Sequence, residues 1–109
     1  MLSTLIIGRM EPRSAADVAQ LFDAFDQTDM PYRMGTRRRE LFNYRDLYIH
    51  LQDFDSDSGG SSILDARSDP LFIKISADLK AHLWAYDPPN WHSPADAMAN
   101  RFYHWEASR

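Results

Sequence analysis

The stretch from Tyr32 to Asp53 constrains this chain more than any other. It has little helical periodicity, many aromatic or β-branched positions, and one tight interruption at Arg45-Asp46. Two strands joined by a two-residue turn fit that pattern. Such a turn fixes a register, with Tyr44 opposite Leu47, Leu41 opposite His50 and Arg39 opposite Gln52. Alternation then gives Arg39, Leu41, Asn43, Tyr48, His50 and Gln52 one face, and Phe42, Tyr44, Leu47, Ile49 and Leu51 the other.

The flanking segments complete a plan. Leu5, Ile6 and Ile7 read as a buried strand closed by Arg9 and Pro12. Ser14, with Asp17 three residues on, reads as a capping signal. Val18, Leu21, Phe22 and Phe25 then mark one face of a helix that Pro31 stops. Asp55 to Ser62 is a solvated, flexible loop, followed by a helical turn or two from Ile63 to Arg67. Asp69 caps a second helix with Pro70 at its first position. Phe72, Ile75, Leu79, Leu83 and Tyr86 carry that helix over about four turns to Pro88-Pro89. A loop bearing Trp91 leads to a last strand, Phe102-Tyr103-His104-Trp105.

The order strand, helix, strand, strand, helix, strand predicts an α+β fold of the ferredoxin-like βαββαβ type. Its antiparallel sheet carries both helices on one face. A chain of 109 residues is enough for a single domain over 1–109. The other sheet face holds too many aromatic side chains to stay bare. Packing two sheets together, as a homodimeric α+β barrel, covers it.

Composition narrows the function classes. Twelve basic against sixteen acidic residues give a formal charge of −4, the wrong sign for a duplex-binding protein. Cys is absent, which excludes disulfides, a thiolate nucleophile and cysteine-ligated metal. No apolar run approaches the ~20 residues a membrane span requires. The N-terminus lacks the basic region of a signal peptide, so the expected location is cytoplasmic.

Three residues attract attention as chemistry. His50 sits mid-strand with Tyr48 and Gln52 on its face and Arg39 diagonally across the hairpin, about 7 Å away. A guanidinium there disfavours the imidazolium and leaves a neutral base. The plainer reading is a hydrogen-bonded structural histidine on a polar sheet face. Asp26 falls in the last turn of the first helix, where a carboxylate opposes the helix dipole. Arg39 offers a cation for a developing oxyanion, or a partner for an acidic residue on a helix. Alternation splits Arg37-Arg38-Arg39 between two faces, so the run is no basic stripe. His50, His82, His92 and His104 show no metal-binding spacing, and Gly59-Gly60 is no phosphate loop. Tyr32, Tyr44, Tyr48, Trp91, Tyr103 and Trp105 divide between core and the lining of a pocket for a flat, oxygenated ligand.

The stretch GTRRRELFNYRDLYIHL resembles the tetracenomycin-type aromatic polyketide cyclases. The opening RMEP, the later ARSDPLFIKI and the closing RFYHWEA are similar too, in the same order along nearly the whole chain. The resemblance implies a ferredoxin-like fold that dimerises through its sheets and uses no cofactor or metal. Its implied activity is closing and aromatising later rings of polyketides made by bacterial type II synthases. The family's pocket residues map onto Asp26, Arg39 and His50, the expected catalytic residues; Phe25, Tyr48, Gln52 and Trp105 are the expected substrate-binding residues beside them. The chain departs from the pattern at Phe25 and Asp69, where relatives carry His.

These residues set the expected partners as an aromatic polyketide intermediate, a second copy and type II synthase components. Nucleic acid and membrane are not expected. The expected reaction is a regiospecific intramolecular aldol condensation with dehydration: His50 as base and then acid, Arg39 on the oxyanion, Asp26 as orienting group. Two rivals share the scaffold. One is a cofactor-free monooxygenase acting on an anthrone-like polyketide. The other is a non-catalytic polyketide-binding module.

Overall fold

The computed structural model describes residues 2–55, 66–92 and 94–108. Strand β1 spans Leu2–Met10, followed by a 3-10 turn at Pro12–Ser14 and helix α1 over Ala15–Asp26. A short helix α2, Met30–Met34, leads into strands β2, Thr36–Tyr44, and β3, Leu47–Phe54. Helix α3 spans Pro70–Leu79 and strand β4 Leu83–Ala85. The sheet order is β2-β3-β1-β4 with every pair antiparallel, as the ferredoxin-like plan requires.

The hairpin has the derived register: Tyr44 pairs with Leu47, Leu41 with His50 and Arg39 with Gln52. Arg45 adopts φ 54°, the left-handed conformation that a two-residue hairpin turn favours. Burial alternates along β3, with Tyr48, His50 and Gln52 buried and Ile49 and Leu51 only partly so. The polar row therefore faces the helices. Met10, Val18, Phe22, Phe25, Met30, Met34, Tyr48, Phe54 and Ile75 form the core around it.

Several boundaries differ from expectation. The residues Phe102 to Trp105 form no strand; the fourth strand is Leu83–Ala85, which pairs with Gly8 to Met10. Beyond it, Met98 bridges to Ile6, and Ala99 donates its N–H to the Leu5 carbonyl at 2.7 Å. Those two contacts satisfy the part of the β1 edge that short β4 leaves open. Helix α3 stops at Leu79 because the edge of β1 recruits Leu83 as strand. Leu79 and Leu83 still line one cavity, so the four-residue spacing survived while its period changed. Ser14 makes no side-chain capping bond, its backbone being already helical after the 3-10 turn. Pro31 sits in the first turn of α2, which starts at Met30, instead of ending α1, and Tyr32 to Met34 are helical. Asp69 caps α3 as expected, accepting from the Leu71 N–H at 2.9 Å. The expected loop beyond Asp55, and the helical turn up to Asp65, lie outside the described residues.

Gly8 sets the spacing between β1 and its two neighbours. It pairs with both Tyr48 and Ala85, and a Cβ there would lie 3.2 Å from the Trp84 carbonyl oxygen and 3.6 Å from Tyr48 Cδ1. Glycine lets the tyrosine ring lie against β1 while β4 closes over it. Gly8→Val is expected to cost about 1–3 kcal/mol through overpacking. Its melting temperature should fall well below that of wild type in thermal denaturation, with Gly8→Ala in between.

Candidate active site

Between the inner sheet face and the helices lies a cavity of about 240 Å³. Phe22 and Phe25 of α1, Met34 of α2, and Phe72, Ile75 and Leu79 of α3 supply one wall. The sheet supplies Ile6, Leu83, Arg39, Tyr48, His50 and Gln52, and Trp91, Pro94 and Ala97 reach in from the 3-10 segments after β4. Apolar side chains dominate, and the polar groups sit together on β2 and β3. That is the pattern of a small-molecule site.

Helix α1 and the hairpin bring Asp26, Arg39 and His50 into one chain of contacts. Asp26, at the C-terminal end of α1, accepts from Arg39 Nε at 3.0 and 3.1 Å and from Nη2 at 2.9 Å. The remaining Arg39 nitrogen, Nη1, lies 3.0 Å from His50 Nε2. On the far side of the ring, His50 Nδ1 lies 3.2 Å from Tyr48 Oη. The chain runs inward: the Asp26 side chain is 37% exposed and that of Arg39 only 8%.

The aromatic residues of α1 hold this chain. The Arg39 guanidinium lies 4.8 Å from the Phe22 ring centre and 5.7 Å from that of Phe25, within cation–π range. Phe22 also meets the imidazole edge-on at 5.1 Å. Burial, and then the Arg39 charge, push the His50 pKa down to about 3, so the ring is neutral at physiological pH. Burial raises the Tyr48 pKa against a smaller opposing effect of Arg39, so the phenol stays protonated. Gln52 donates its amide to Thr36 Oγ1 at 2.8 Å and closes the cavity floor.

Six of the seven expected site residues therefore meet in one place: Asp26, Arg39, His50, Tyr48, Phe25 and Gln52. Trp105 does not. It lies in the irregular C-terminal segment, 72% exposed, away from the cavity of its own chain. Phe25 packs beneath the guanidinium. Asp69 instead joins α3 to Arg33 of α2 at 2.6 Å, outside the cavity, and its pKa is lowered by the Leu71 N–H and by Arg33. Phe22, Met34, Ile75 and Leu79 line the cavity without having been expected there, and Trp91, one of the aromatics weighed as core or pocket lining, lines it too. The helical ones read as core from their spacing; Trp91 stood out as an aromatic with no helical place.

The fold and this cavity belong to a known class. The sequence model of the family described as polyketide synthesis cyclase matches residues 2–106, and the chain is a member of that family. It is accordingly an enzyme of the cyclase type. The chain is similar to an uncharacterized protein of Streptomyces coelicolor, 40% identical over 107 residues, covering 97% of this chain and 96% of the other. It is 37% identical over 107 residues to the polyketide synthase CurG of Streptomyces cyaneus, covering 97% and 98% of the two chains. It is 38% identical over 103 residues to tetracenomycin F2 cyclase of Streptomyces glaucescens, covering 94% and 93%. The solved structure of that last protein, a type-II polyketide cyclase, matches with a TM-score of 0.92 at 36% identity, covering 98% and 99% of the two chains.

The neutral His50 links the site to stability. Unfolded, the imidazole takes up a proton near its ordinary value of 6.5; folded, it waits until about pH 3. Stability from the neutral ring is complete above pH 6.5 and is lost as pH falls toward 3. The difference in unfolding free energy between wild type and His50→Gln should be flat above neutrality. Below it, the difference should shrink by up to about 1.4 kcal/mol per pH unit. Urea unfolding of both proteins across pH 4–8 measures it, and a pH-independent difference would mean that the folded ring takes up its proton at the same pH as the unfolded one.

Proposed function

We propose that this protein closes and aromatises a ring of an aromatic polyketide intermediate by intramolecular aldol condensation and loss of water. The supporting observation is the neutral imidazole 3.0 Å from a buried guanidinium inside an apolar cavity. A methylene between two carbonyls loses a proton readily, so the enzyme's main task is to choose which carbons meet. A shaped apolar cavity does this by holding the near-attack conformer. His50 is the general base and later the acid. Arg39 stabilises the enolate or alkoxide oxygen, and Asp26 fixes the guanidinium plane. Phe25 and the other rings pack on the flat substrate, and Gln52 bounds it.

In this reading residues 1–109 form one cyclase domain, at work in the cytoplasm beside type II synthase components. The working unit is a homodimer. Its support is the sheet face away from the helices, where Leu5, Phe42, Tyr44 and Trp84 are exposed, and the C-terminal segment, where Phe102 is 95% exposed. A second copy, sheet to sheet, removes this apolar surface from water.

Incubation with tetracenomycin F2 under strict anaerobiosis should give the cyclised, dehydrated product. Arg39→Ala and His50→Ala should each slow it by about 10²–10⁴-fold with unchanged circular dichroism. Full turnover by both variants would remove these residues from the chemistry, and an absolute need for oxygen would assign a monooxygenase. Because His50 stays neutral, the rate should show no acid limb near pH 6.5. Trp84→Glu should shift wild-type dimer toward monomer in gel filtration; an unaltered profile would place the contact elsewhere.

A further inference from the structure

Both ring nitrogens of His50 are engaged, and the two contacts differ in kind. Arginine carries only donors, so Arg39 Nη1 donates to Nε2. A neutral imidazole has one proton, which must then sit on Nδ1 and be donated to Tyr48 Oη. The tyrosine oxygen is an acceptor in this contact, and its own O–H points elsewhere. Among the described residues no other acceptor bonds to Tyr48, and its side chain lines the cavity. Phe22 on one side and the close approach of Gly8 on the other hold the pair in place.

We propose that His50 and Tyr48 form one charge-neutral proton relay: Nε2 takes a proton from substrate carbon while Tyr48, resupplied from Nδ1, protonates the substrate carbonyl oxygen. The relay rests on the aldol reading of the site and makes Tyr48 a catalytic acid instead of a stacking surface. As substrate enters, Arg39 Nη1 leaves Nε2 for the substrate oxygen, while Nε and Nη2 stay on Asp26.

The step balances. The C–H bond of the activated methylene breaks, and its electron pair forms the new carbon–carbon bond. The carbonyl π pair ends on oxygen. The methylene proton goes to Nε2, the Nδ1 proton to Tyr48 Oη, and the tyrosine proton to the new hydroxyl. Loss of water is a second pass in the same direction. Once Nε2 has given its proton to water and Nδ1 has regained one, Nε2 takes the second methylene proton and the C–H pair forms the carbon–carbon double bond. Tyr48, resupplied from Nδ1, protonates the hydroxyl as the C–O pair leaves on oxygen.

The physical reason for coupling the two transfers is the setting. A base acting alone would create an imidazolium in an apolar cavity beside a guanidinium, where burial and like charge both oppose it. Taking a proton at one nitrogen while releasing one at the other never forms that species.

Nitrogen-15 NMR of the histidine rings and turnover of tetracenomycin F2 test the relay together. His50 should show protonated Nδ1 and bare Nε2, unchanged between pH 5 and pH 8. Tyr48→Phe should lose about 100-fold in kcat with KM within about twofold. The double variant Tyr48→Phe/His50→Ala should be no slower than the slower single variant, since the two residues act as one unit. An Nε2–H tautomer, near-normal kcat in Tyr48→Phe, or losses that multiply would each refute the relay while leaving the cyclase reading intact. Wild-type protein that leaves tetracenomycin F2 unchanged would count against the aldol reading itself, and the relay would fall with it.

Discussion

A neutral imidazole fixed between a guanidinium and a phenol, inside an apolar cavity, is the constraint on which the rest of this structure depends. Buried polar groups are costly unless paired, and an isolated buried charge more so. Here each has its partner: Asp26 for Arg39, Arg39 and Tyr48 for His50, Thr36 for Gln52. Among the described residues no buried side-chain nitrogen or oxygen lacks a hydrogen bond. That closure lets a strand present tyrosine, histidine and glutamine to the protein interior, a row that alone would argue for solvent.

The same closure inverts the sheet. On β3 the polar side chains face the helices, while Ile49 and Leu51 face outward with exposed Phe42 and Trp84. An ordinary half-buried sheet does the opposite. Alternation with a two-residue turn was enough to sort side chains into two sets, because register in a tight hairpin is geometric. It was not enough to say which set lies inside. Polarity argues for the apolar set; the helices cover the polar one. The inner polar row is therefore evidence of a cavity, and the outer apolar row evidence of a covered face.

Where the sequence misled, two different structures satisfied one spacing. Leu79 and Leu83 are four apart, as on a helix, yet a turn separates them and both reach the cavity from different elements. Short β4 was hidden because Leu83 to Ala85 is chosen by the open edge of β1, a long-range partner that no local window contains. The aromatic run at Phe102 has strand-like composition, but β1 already has β3 on one side and β4 with Met98 on the other. No edge of that strand is left for it to join. Trp105 lies outside the cavity of its own chain for the same reason. The rings that do line the cavity stand on α1, β3 and α3, or on the segment that follows β4.

Asp26 shows how one set of contacts both completes a helix end and orients a cavity side chain. A carboxylate in the last turn of a helix opposes the dipole by about 0.3–1 kcal/mol when exposed, and α1 has no basic residue in that turn. Arg39 supplies the missing cation from the neighbouring strand, through a fork of three short contacts. The unfavourable helix end thus becomes the anchor that leaves one guanidinium nitrogen turned toward the imidazole. Removing Asp26 would relieve the helix and loosen the guanidinium; removing Arg39 would leave the carboxylate against the dipole and the Nε2 lone pair without its donor. A lysine could neutralise Asp26, but its single ammonium offers no planar fork to hold carboxylate and imidazole at fixed angles. Geometry, more than charge, is what the arginine contributes.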